Sequence, residues 1–136
     1  MLTLPDQEIK ISSSIKNLSA VEKLIEDVCE QTDISGDHFG NILIAVSEAV
    51  NNAIQHGNLN NPEKPVRISV KASESYVLFT VRDEGKGFDF NNLPDPTLPE
   101  NIENPNGRGI FLMKHLADLV SFNKGGSEVE LKFYLR

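Results

Sequence analysis

SEAVNNAIQHG, residues 47–57, is the most specific string in the chain. It completes a helical run of apolar residues that begins at Asp37 and that Gly57 ends. At about 100° per residue, the apolar positions fall on one side of this helix, which leaves Glu48 and Asn52 one turn apart on the side turned away from the core. A carboxylate and an amide oxygen at that spacing can accept a proton from a hydroxyl and ligate a hard cation such as Mg²⁺. The plainer interpretation of the pair is a solvated helix face.

A second motif, DEGKGFD at residues 83–89, follows an apolar, strand-like run. Asp83 places a carboxylate at the end of that strand, and Gly85 and Gly87 allow a flat ligand to approach the backbone without interference from a Cβ atom. This chemistry suits a nucleobase, whereas a plain hairpin turn is the alternative. A calcium loop of the EF-hand type is excluded, because its bidentate glutamate would fall on Pro94.

A third motif, Gly107-Arg108-Gly109, opens the last predicted helix. The free backbone N–H groups and the positive dipole end at the start of a helix bind anions. Arg108 adds a positive charge there that suits the γ-phosphate of a nucleotide. Glycines at a loop-to-helix junction also occur in ordinary turns, which is the alternative for this motif.

The periodicity of the whole chain predicts a strand, two helices, two strands, a loop, a helix and two strands, in that order. This order is typical of a two-layer α+β sandwich with a mostly antiparallel sheet covered on one face by helices, in a single domain spanning residues 1–136. The unbroken apolar character of the third strand predicts cover on both of its faces. Strands are predicted at residues 7–15, 66–72, 76–82, 119–123 and 127–135, and helices from a cap at Asn17 or Ser19 to about residue 28, at 37–57 and at 107–117.

Residues 84–107 fit neither a helix nor a strand, and four of the chain's seven prolines fall within 94–105. A loop of this length without regular structure is uncommon in a small domain and often serves as a functional lid where it occurs. We therefore predict that residues 84–107 form a lid, of which residues 91–106 become protected when a nucleotide binds.

Composition narrows the class of function. The 136 residues include 13 basic and 20 acidic ones, a net charge of −7, with no cluster of Lys and Arg to grip a phosphate backbone, so direct nucleic-acid binding is not expected. No apolar stretch approaches the roughly 20 residues that cross a bilayer, and Asp6 and Glu8 lie where a secretory signal is apolar. The lone Cys29 is predicted to be a buried thiol of a reducing compartment. These features indicate a cytoplasmic protein that does not bind membranes.

In order and spacing, the three motifs together resemble those of the GHKL ATPases, whose ATP-binding domain has the Bergerat fold. Residues 47–57 resemble the N box, in the SEAxxNAxxHG form of the anti-sigma-factor serine-protein kinases. Residues 83–89 match the first glycine box, DxGxG, and residues 106–113 match the short second glycine box of that branch. The resemblance covers nearly the whole chain and departs from the family in its proline-rich lid at 91–106.

The resemblance implies a role for each matching residue. Glu48 would be the general base that takes the proton of a substrate hydroxyl, and Asn52 would hold Mg²⁺ against the triphosphate of ATP. Asp83 would accept a hydrogen bond from the adenine amino group. Gly85 and Gly87 would lie beside the base, and Gly107, Arg108 and Gly109 would lie along the phosphates. Ser127 occupies a position where the family often has a threonine near adenine.

The resemblance also implies a function. It indicates an anti-sigma regulatory factor that uses ATP and Mg²⁺ to phosphorylate a serine or threonine of a small anti-anti-sigma antagonist protein, and that sequesters a sigma factor or similar partner. Members of this branch are usually homodimers, so a homodimer is expected. A nucleotide-dependent binding module without kinase activity is the first alternative, and Glu48 argues against it because such a module has no use for a base there. The second alternative is a carboxylate metal site unrelated to ATP.

Overall fold

The computed structural model of the chain describes residues 6–32, 34, 36–87 and 105–135, with the backbone alone described for residues 105–108. The five described strands form one sheet in the order β1-β2-β3-β5-β4, and each neighbouring pair is antiparallel. The order and type of the elements confirm the α+β prediction. In chain order they are β1 (Gln7–Ser12), α1 (Leu18–Gln31), α2 (Asp37–Asn52), β2 (Pro65–Ala72), β3 (Tyr76–Arg82), α3 (Pro105–Leu116), β4 (Leu119–Asn123) and β5 (Glu128–Tyr134).

One face of the sheet carries the core. Alternate residues of β2 turn inward, as the alternation of apolar and polar residues predicts, and Val66, Ile68 and Val70 are at most 2% exposed. Phe79 of β3 and Leu131 of β5 are fully buried beside them. Burying a side chain of this size contributes about 1.5–3 kcal/mol, which holds the helices to this face. The helix residues in the same cluster include Val21, Ile25, Val28, Ile42, Val46 and Val50.

The opposite face of β3 is not covered in the predicted way. Residues of β3 alternate between buried and more exposed positions, with Leu78 and Thr80 half-exposed. On this face the Lys132 Nζ atom of the neighbouring strand lies 4.3 Å from the centroid of the Tyr76 ring. The alkyl stem of a lysine covers apolar surface while its charge stays in water. The prediction of cover on both faces is therefore wrong, because the outward-facing residues Tyr76, Leu78 and Thr80 stay partly exposed.

The junction between β1 and α1 also differs from the prediction. β1 ends at Ser12, and a single 3₁₀ turn at Ile15–Asn17 leads into α1. Asn17 occupies the capping position, but its side-chain amide donates to Ser12 O at 3.0 Å and to Ser12 Oγ at 2.8 Å. Ser19 lies inside the helix and donates its hydroxyl to Lys16 O. Neither residue caps α1, because the Asn17 amide ties the helix start back to the strand.

α3 begins at Pro105, two residues before the predicted start. Proline suits the first turn of a helix, since it has no N–H group to leave unpaired. Residues 105–107 therefore belong to α3 and not to the predicted lid. Residues 84–87 form a turn after β3, and residues 88–104, the rest of the predicted lid, lie outside the described residues.

The end of α2 is a π turn at Ala53–Gly57. Asn58 N donates to Ala53 O at 2.8 Å, five residues back, and Asn60 N donates to Ile54 O at 2.8 Å. A π turn holds one more residue than an α-helical turn and is often found at functional sites. The predicted helix to Gly57 is thus confirmed, and its last turn is wider than expected. This turn carries Gly57 and Asn58 to the loop that follows β3.

Two further predictions concern the helices. None of the described helices combines the length and the apolar character that crossing a membrane requires. The Cys29 thiol of α1 is 3% exposed, and burial raises its pKa to about 11. The neutral thiol is the form present at neutral pH, which makes Cys29 a packing residue of low reactivity. Its predicted burial is confirmed.

Candidate functional site

A cavity of about 280 Å³ opens between the second half of α2 and the start of α3. The α2 residues that line it are spaced i, i+3, i+4, i+7 and i+8, which is the spacing of one helix face. The side of α2 that the sequence turns away from the core therefore faces a second helix. The lining residues are Glu48, Asn51, Asn52, Gln55, His56, Gly109 and Leu112.

Glu48 and Asn52 converge on Gly109 of α3. A Cβ atom added to Gly109 would lie 2.9 Å from Asn52 Nδ2, 3.2 Å from Glu48 Oε2 and 3.3 Å from Asn52 Oδ1. The missing side chain of Gly109 thus allows α3 to approach the carboxylate and the amide closely. Both side chains are half-exposed. Because they line a cavity between two helices, the plainer interpretation of a solvated helix face does not describe them.

Asp83 lies directly after β3, where its backbone N–H donates to Ser127 O at 2.9 Å and prolongs the pairing with β5. Its carboxylate Oδ1 accepts a hydrogen bond from Gly85 N at 2.7 Å, which closes a tight turn. Burial raises the pKa of the half-buried Asp83 carboxyl, and the Gly85 N–H opposes that rise. The carboxylate is therefore fixed in orientation and partly removed from water, where a hydrogen bond from a ligand is stronger.

The glycines near Asp83 are required by the packing of the backbone. A Cβ atom on Gly57 would lie 2.7 Å from Asp83 Oδ1, and one on Gly85 would lie 2.7 Å from the Gly57 carbonyl carbon. Gly87 has a φ of +83°, and its Cβ atom would lie 2.7 Å from the Gly125 carbonyl carbon. Real Cβ atoms essentially never approach other atoms within 3.0 Å. These glycines allow separate segments of the protein to pack closely, a role that the sequence alone did not reveal. The predicted contact of Gly85 and Gly87 with a base stays a prediction.

The remaining predicted residues lie at the borders of the site. Ser127 adjoins Asp83 through the backbone, while its hydroxyl donates to Lys124 O at 3.1 Å within its own turn. Its contact with adenine stays a prediction. Gly107 and Arg108 lie in the first turn of α3, where backbone N–H groups have no partner within the helix. The Arg108 side chain lies outside the described part of the chain, so its contact with phosphate also stays a prediction.

α2 connects the two parts of the site. Gly57, which lies against Asp83, follows Asn52 by five residues and Glu48 by nine. With a rise of about 1.5 Å per residue, the strand-end carboxylate is separated from the Glu48 and Asn52 positions by on the order of 10 Å along the helix. An extended nucleotide separates its base from its terminal phosphate on this scale. The site can therefore receive the base at Asp83 and the phosphates near Glu48 and Asn52.

Sequence reasoning missed several residues of this region. The sequence marks Gly57 as the stop of a helix and as the last residue of the first motif, but gives no sign of its contact with Asp83. Asn51 and Gln55 line the cavity at i+3 and i+7 from Glu48, a spacing that would have found them. No signal marked Asn58, because an asparagine after a helix is typical of an exposed turn, yet this one is 1% exposed.

Known proteins resemble this chain in sequence. Residues 11–133 match the family described as histidine kinase-like ATPase domain. The chain belongs to this family. Its relatives include the anti-sigma F factor of Bacillus cytotoxicus, which is 32% identical over 135 residues, with 96% of this chain and 92% of the relative covered. They also include the serine-protein kinase RsbW of Oceanobacillus iheyensis, 25% identical over 122 residues, with 85% and 77% covered.

A solved structure shows the fold of this histidine kinase-like ATPase domain as well. The crystal structure contains the RsbU and RsbW domains of a Mycobacterium tuberculosis protein and matches with a TM-score of 0.64 at 16% identity. The match covers 98% of this chain and 32% of that longer one. The predicted Bergerat-type fold is confirmed.

The residues of this histidine kinase-like ATPase domain fit a magnesium nucleotide. The described part of the chain holds no group of three or more His, Cys, Asp or Glu residues that could hold a metal ion. In nucleotide sites, Mg²⁺ takes one or two protein ligands and completes its shell with phosphate oxygens and water. The Glu48 carboxylate and the Asn52 amide, which both line the cavity, offer oxygens of the required kind. The Asp83 carboxylate is an acceptor suited to the adenine amino group.

Proposed function

We propose that this histidine kinase-like ATPase is an anti-sigma regulatory factor with ATP-dependent serine/threonine protein kinase activity. It phosphorylates a small anti-anti-sigma antagonist protein and sequesters a sigma factor or similar partner. The observation that carries the proposal is the convergence of Glu48 and Asn52 on Gly109 beside a cavity. Relatives named anti-sigma F factor and serine-protein kinase RsbW, similar over most of the chain, support it. The proposal includes a homodimer, which the resemblance of the motifs implies, and a cytoplasmic location, which the composition indicates.

The base is recognised at the end of β3. Asp83 accepts a hydrogen bond from the adenine amino group, and its half-buried position makes this bond selective, because guanine presents a carbonyl oxygen in place of the amino group. Gly57 and Gly85 hold the carboxylate in place through backbone contacts on the protein side. Gly107, Arg108 and Gly109 lie along the phosphates at the start of α3, where unpaired N–H groups favour anions.

Phosphoryl transfer takes place at the α2 end. When bound, ATP supplies the phosphoryl group and Mg²⁺ neutralises the charge of its phosphates. Asn52 offers its amide oxygen to the metal ion. Glu48 accepts the proton of the antagonist's serine or threonine hydroxyl as its oxygen bonds to the γ-phosphorus of ATP. The bond from that phosphorus to the bridging oxygen breaks, ADP leaves with that oxygen and its electron pair, and the protonated carboxyl then releases its proton to water. The chain thus supplies positioning and a proton acceptor.

The proposal is tested with Glu48→Gln and the cognate antagonist protein, using radiolabelled ATP. We expect phosphate incorporation to fall by about 10²–10⁴, since the hydroxyl proton loses its positioned acceptor. The dissociation constant for ATP should stay close to the wild-type value, because the neutral isostere leaves the Asp83 end intact. Asn52→Ala should lose the Mg²⁺ dependence of binding as well.

Glu22→Gln is the matched control, since it makes the same chemical change at an exposed position on α1. Both binding and transfer should match the wild type. Equal transfer by wild type and Glu48→Gln would remove Glu48 from the mechanism. Nucleotide binding without any transfer by the wild type would indicate the binding-only module.

A further inference from the structure

Asn58 is one of three polar or charged residues that are buried in the described part of the chain, together with Ser13 and Glu128. It is the first residue after the π turn and is 1% exposed. A buried amide is costly unless its donors and its acceptor are satisfied. The partners of this amide therefore indicate why it lies here.

The donor end of the Asn58 side chain joins three segments. Its Nδ2 donates to Ser13 Oγ at 2.9 Å, to Lys64 O at 3.2 Å and to Pro65 O at 3.0 Å. Ser13 Oγ in turn donates to Lys64 O at 2.6 Å. The residue after α2 is thereby tied to Ser13, which directly follows β1, and to the start of β2.

The acceptor end of the same amide holds the loop after β3. Asn58 Oδ1 accepts a hydrogen bond from Glu84 N at 2.7 Å. Glu84 lies between Asp83 and Gly85, and Gly85 N donates to Asp83 Oδ1 at 2.7 Å. The middle N–H of the turn that orients the Asp83 carboxylate is thus held by Asn58. The preceding residue, Gly57, contacts that carboxylate and Gly85 directly.

The chemistry of this position calls for an amide. It requires a donor toward two carbonyl oxygens and, on the same short side chain, an acceptor toward the Glu84 N–H. A carboxylate would turn an oxygen toward those carbonyls, and an alkyl group would leave Glu84 N and Pro65 O without their partner. The amide of asparagine supplies both the donor and the acceptor. Asn58 is not among the residues that line the cavity.

From this arrangement we infer that Asn58 is a positioning residue for adenine recognition, which acts by fixing the turn that orients Asp83. The inference rests on the proposed ATP site and adds to it a residue that does not touch the nucleotide. If the inference is right, a change at Asn58 lowers the selectivity for adenine over guanine and does not lower only the stability of the fold.

The test measures the dissociation constants of Mg·ATP and Mg·GTP for wild type, Asn58→Ala and Ser13→Ala by calorimetry. In Asn58→Ala, the preference for ATP over GTP should fall about tenfold or more, because the carboxylate that accepts the adenine hydrogen bond is no longer held in place. Ser13→Ala is the matched control. It removes a buried hydroxyl from the donor side of the same network and leaves the bond between Asn58 and Glu84 in place. Its preference should stay at the wild-type value even if its melting temperature falls.

The outcomes separate this inference from the proposed function. An unchanged ratio of ATP to GTP affinity in Asn58→Ala overturns the positioning role, as does an equal fall of the ratio in Ser13→Ala. Absence of ATP binding by the wild type overturns the proposed function itself. If Asn58→Ala does not fold, Asn58→Ser is measured in its place. Serine keeps a polar group but is too short to reach Glu84 N and Pro65 O together, so the same fall in the ratio is expected.

Discussion

The two ends of the site are built in different ways. At the end of β3, Gly85 leaves room for the Gly57 carbonyl, a contact of backbone with backbone. Gly57 in turn leaves room for the Asp83 carboxylate, which the Gly85 N–H holds in place. In the cavity, Gly109 leaves room only for the ends of the Glu48 and Asn52 side chains. Backbone atoms cannot move away from an added methyl group without moving whole segments, whereas side-chain ends can rotate. The base end should therefore be rigid and the phosphate end adaptable.

The largest expected effect is that of Gly85→Ala. The new Cβ atom would lie 2.7 Å from the Gly57 carbonyl carbon and 2.9 Å from Gly57 Cα, so α2 and the loop after β3 must separate. We expect a loss of about 1–3 kcal/mol of unfolding free energy, or more, because the clash is with backbone. ATP affinity should fall by about 100-fold or more, as the Asp83 carboxylate moves with the loop. Thermal unfolding and calorimetry measure the two effects.

Gly40→Ala is the control for this substitution. Gly40 lies in α2, and a Cβ atom there would meet nothing within 4 Å. Alanine favours a helix over glycine by up to about 1 kcal/mol, so this variant should be as stable as the wild type or more stable, with unchanged ATP affinity. Wild-type ATP affinity in Gly85→Ala would contradict the rigidity of the base end.

A smaller effect is expected for Asp83→Asn, which keeps the shape of the base end and removes its charge. A hydrogen bond to a charged acceptor contributes about 1.5–3 kcal/mol, so ATP affinity should fall roughly 10- to 150-fold. The unfolding free energy without nucleotide should not fall at neutral pH. Burial raises the pKa of Asp83, which means that folding disfavours the charged form, and the asparagine oxygen can still accept from Gly85 N.

The pH dependence of binding sharpens the same prediction. Because the pKa of Asp83 is raised above 3.8, the carboxylate of the folded protein takes up its proton at a higher pH than an ordinary aspartate does. ATP binding by the wild type should weaken as the pH falls through that pKa, while Asp83→Asn should lack this step. Calorimetry across the acidic range compares the two. A common step in both proteins would assign the titration to another group.

The smallest effect is expected for Gly109→Ala. Its Cβ atom would lie 2.9 Å from Asn52 Nδ2 and 3.2 Å from Glu48 Oε2, both ends of half-exposed side chains. We expect a several-fold loss in Mg²⁺-dependent ATP binding and no loss of stability, since alanine improves the helix by up to about 1 kcal/mol. Binding at several Mg²⁺ concentrations measures this. A loss as large as that of Gly85→Ala would show that the cavity is as rigid as the base end.

The same contrast explains how much the sequence could predict. Elements that depend on periodicity were predictable, such as the alternation of β2 and the face of α2 that carries Glu48 and Asn52. The packing of Gly57 against Asp83 and Gly85 was not, because it joins segments that are distant in the chain through contacts that leave no periodic pattern. Asn58 is a residue type typical of exposed turns, yet it is as buried as a core residue. The local sequence indicates the turn but not the burial. The start of α3 at Pro105 was missed because four clustered prolines suggested only a loop.

The π turn at Ala53–Gly57 makes the number of residues between the two ends of the site a fixed quantity. The turn already holds one residue more than an α-helical turn, so a further residue inserted here would rotate the following chain by about 100° around the helix axis, and Gly57 would no longer face the end of β3. Substitutions in this segment can be compensated by neighbours, but such an insertion cannot. When related sequences are aligned, an extra residue between the positions of Asn52 and Gly57 should therefore be treated as loss of the coupling between the two ends, even where every motif residue is retained.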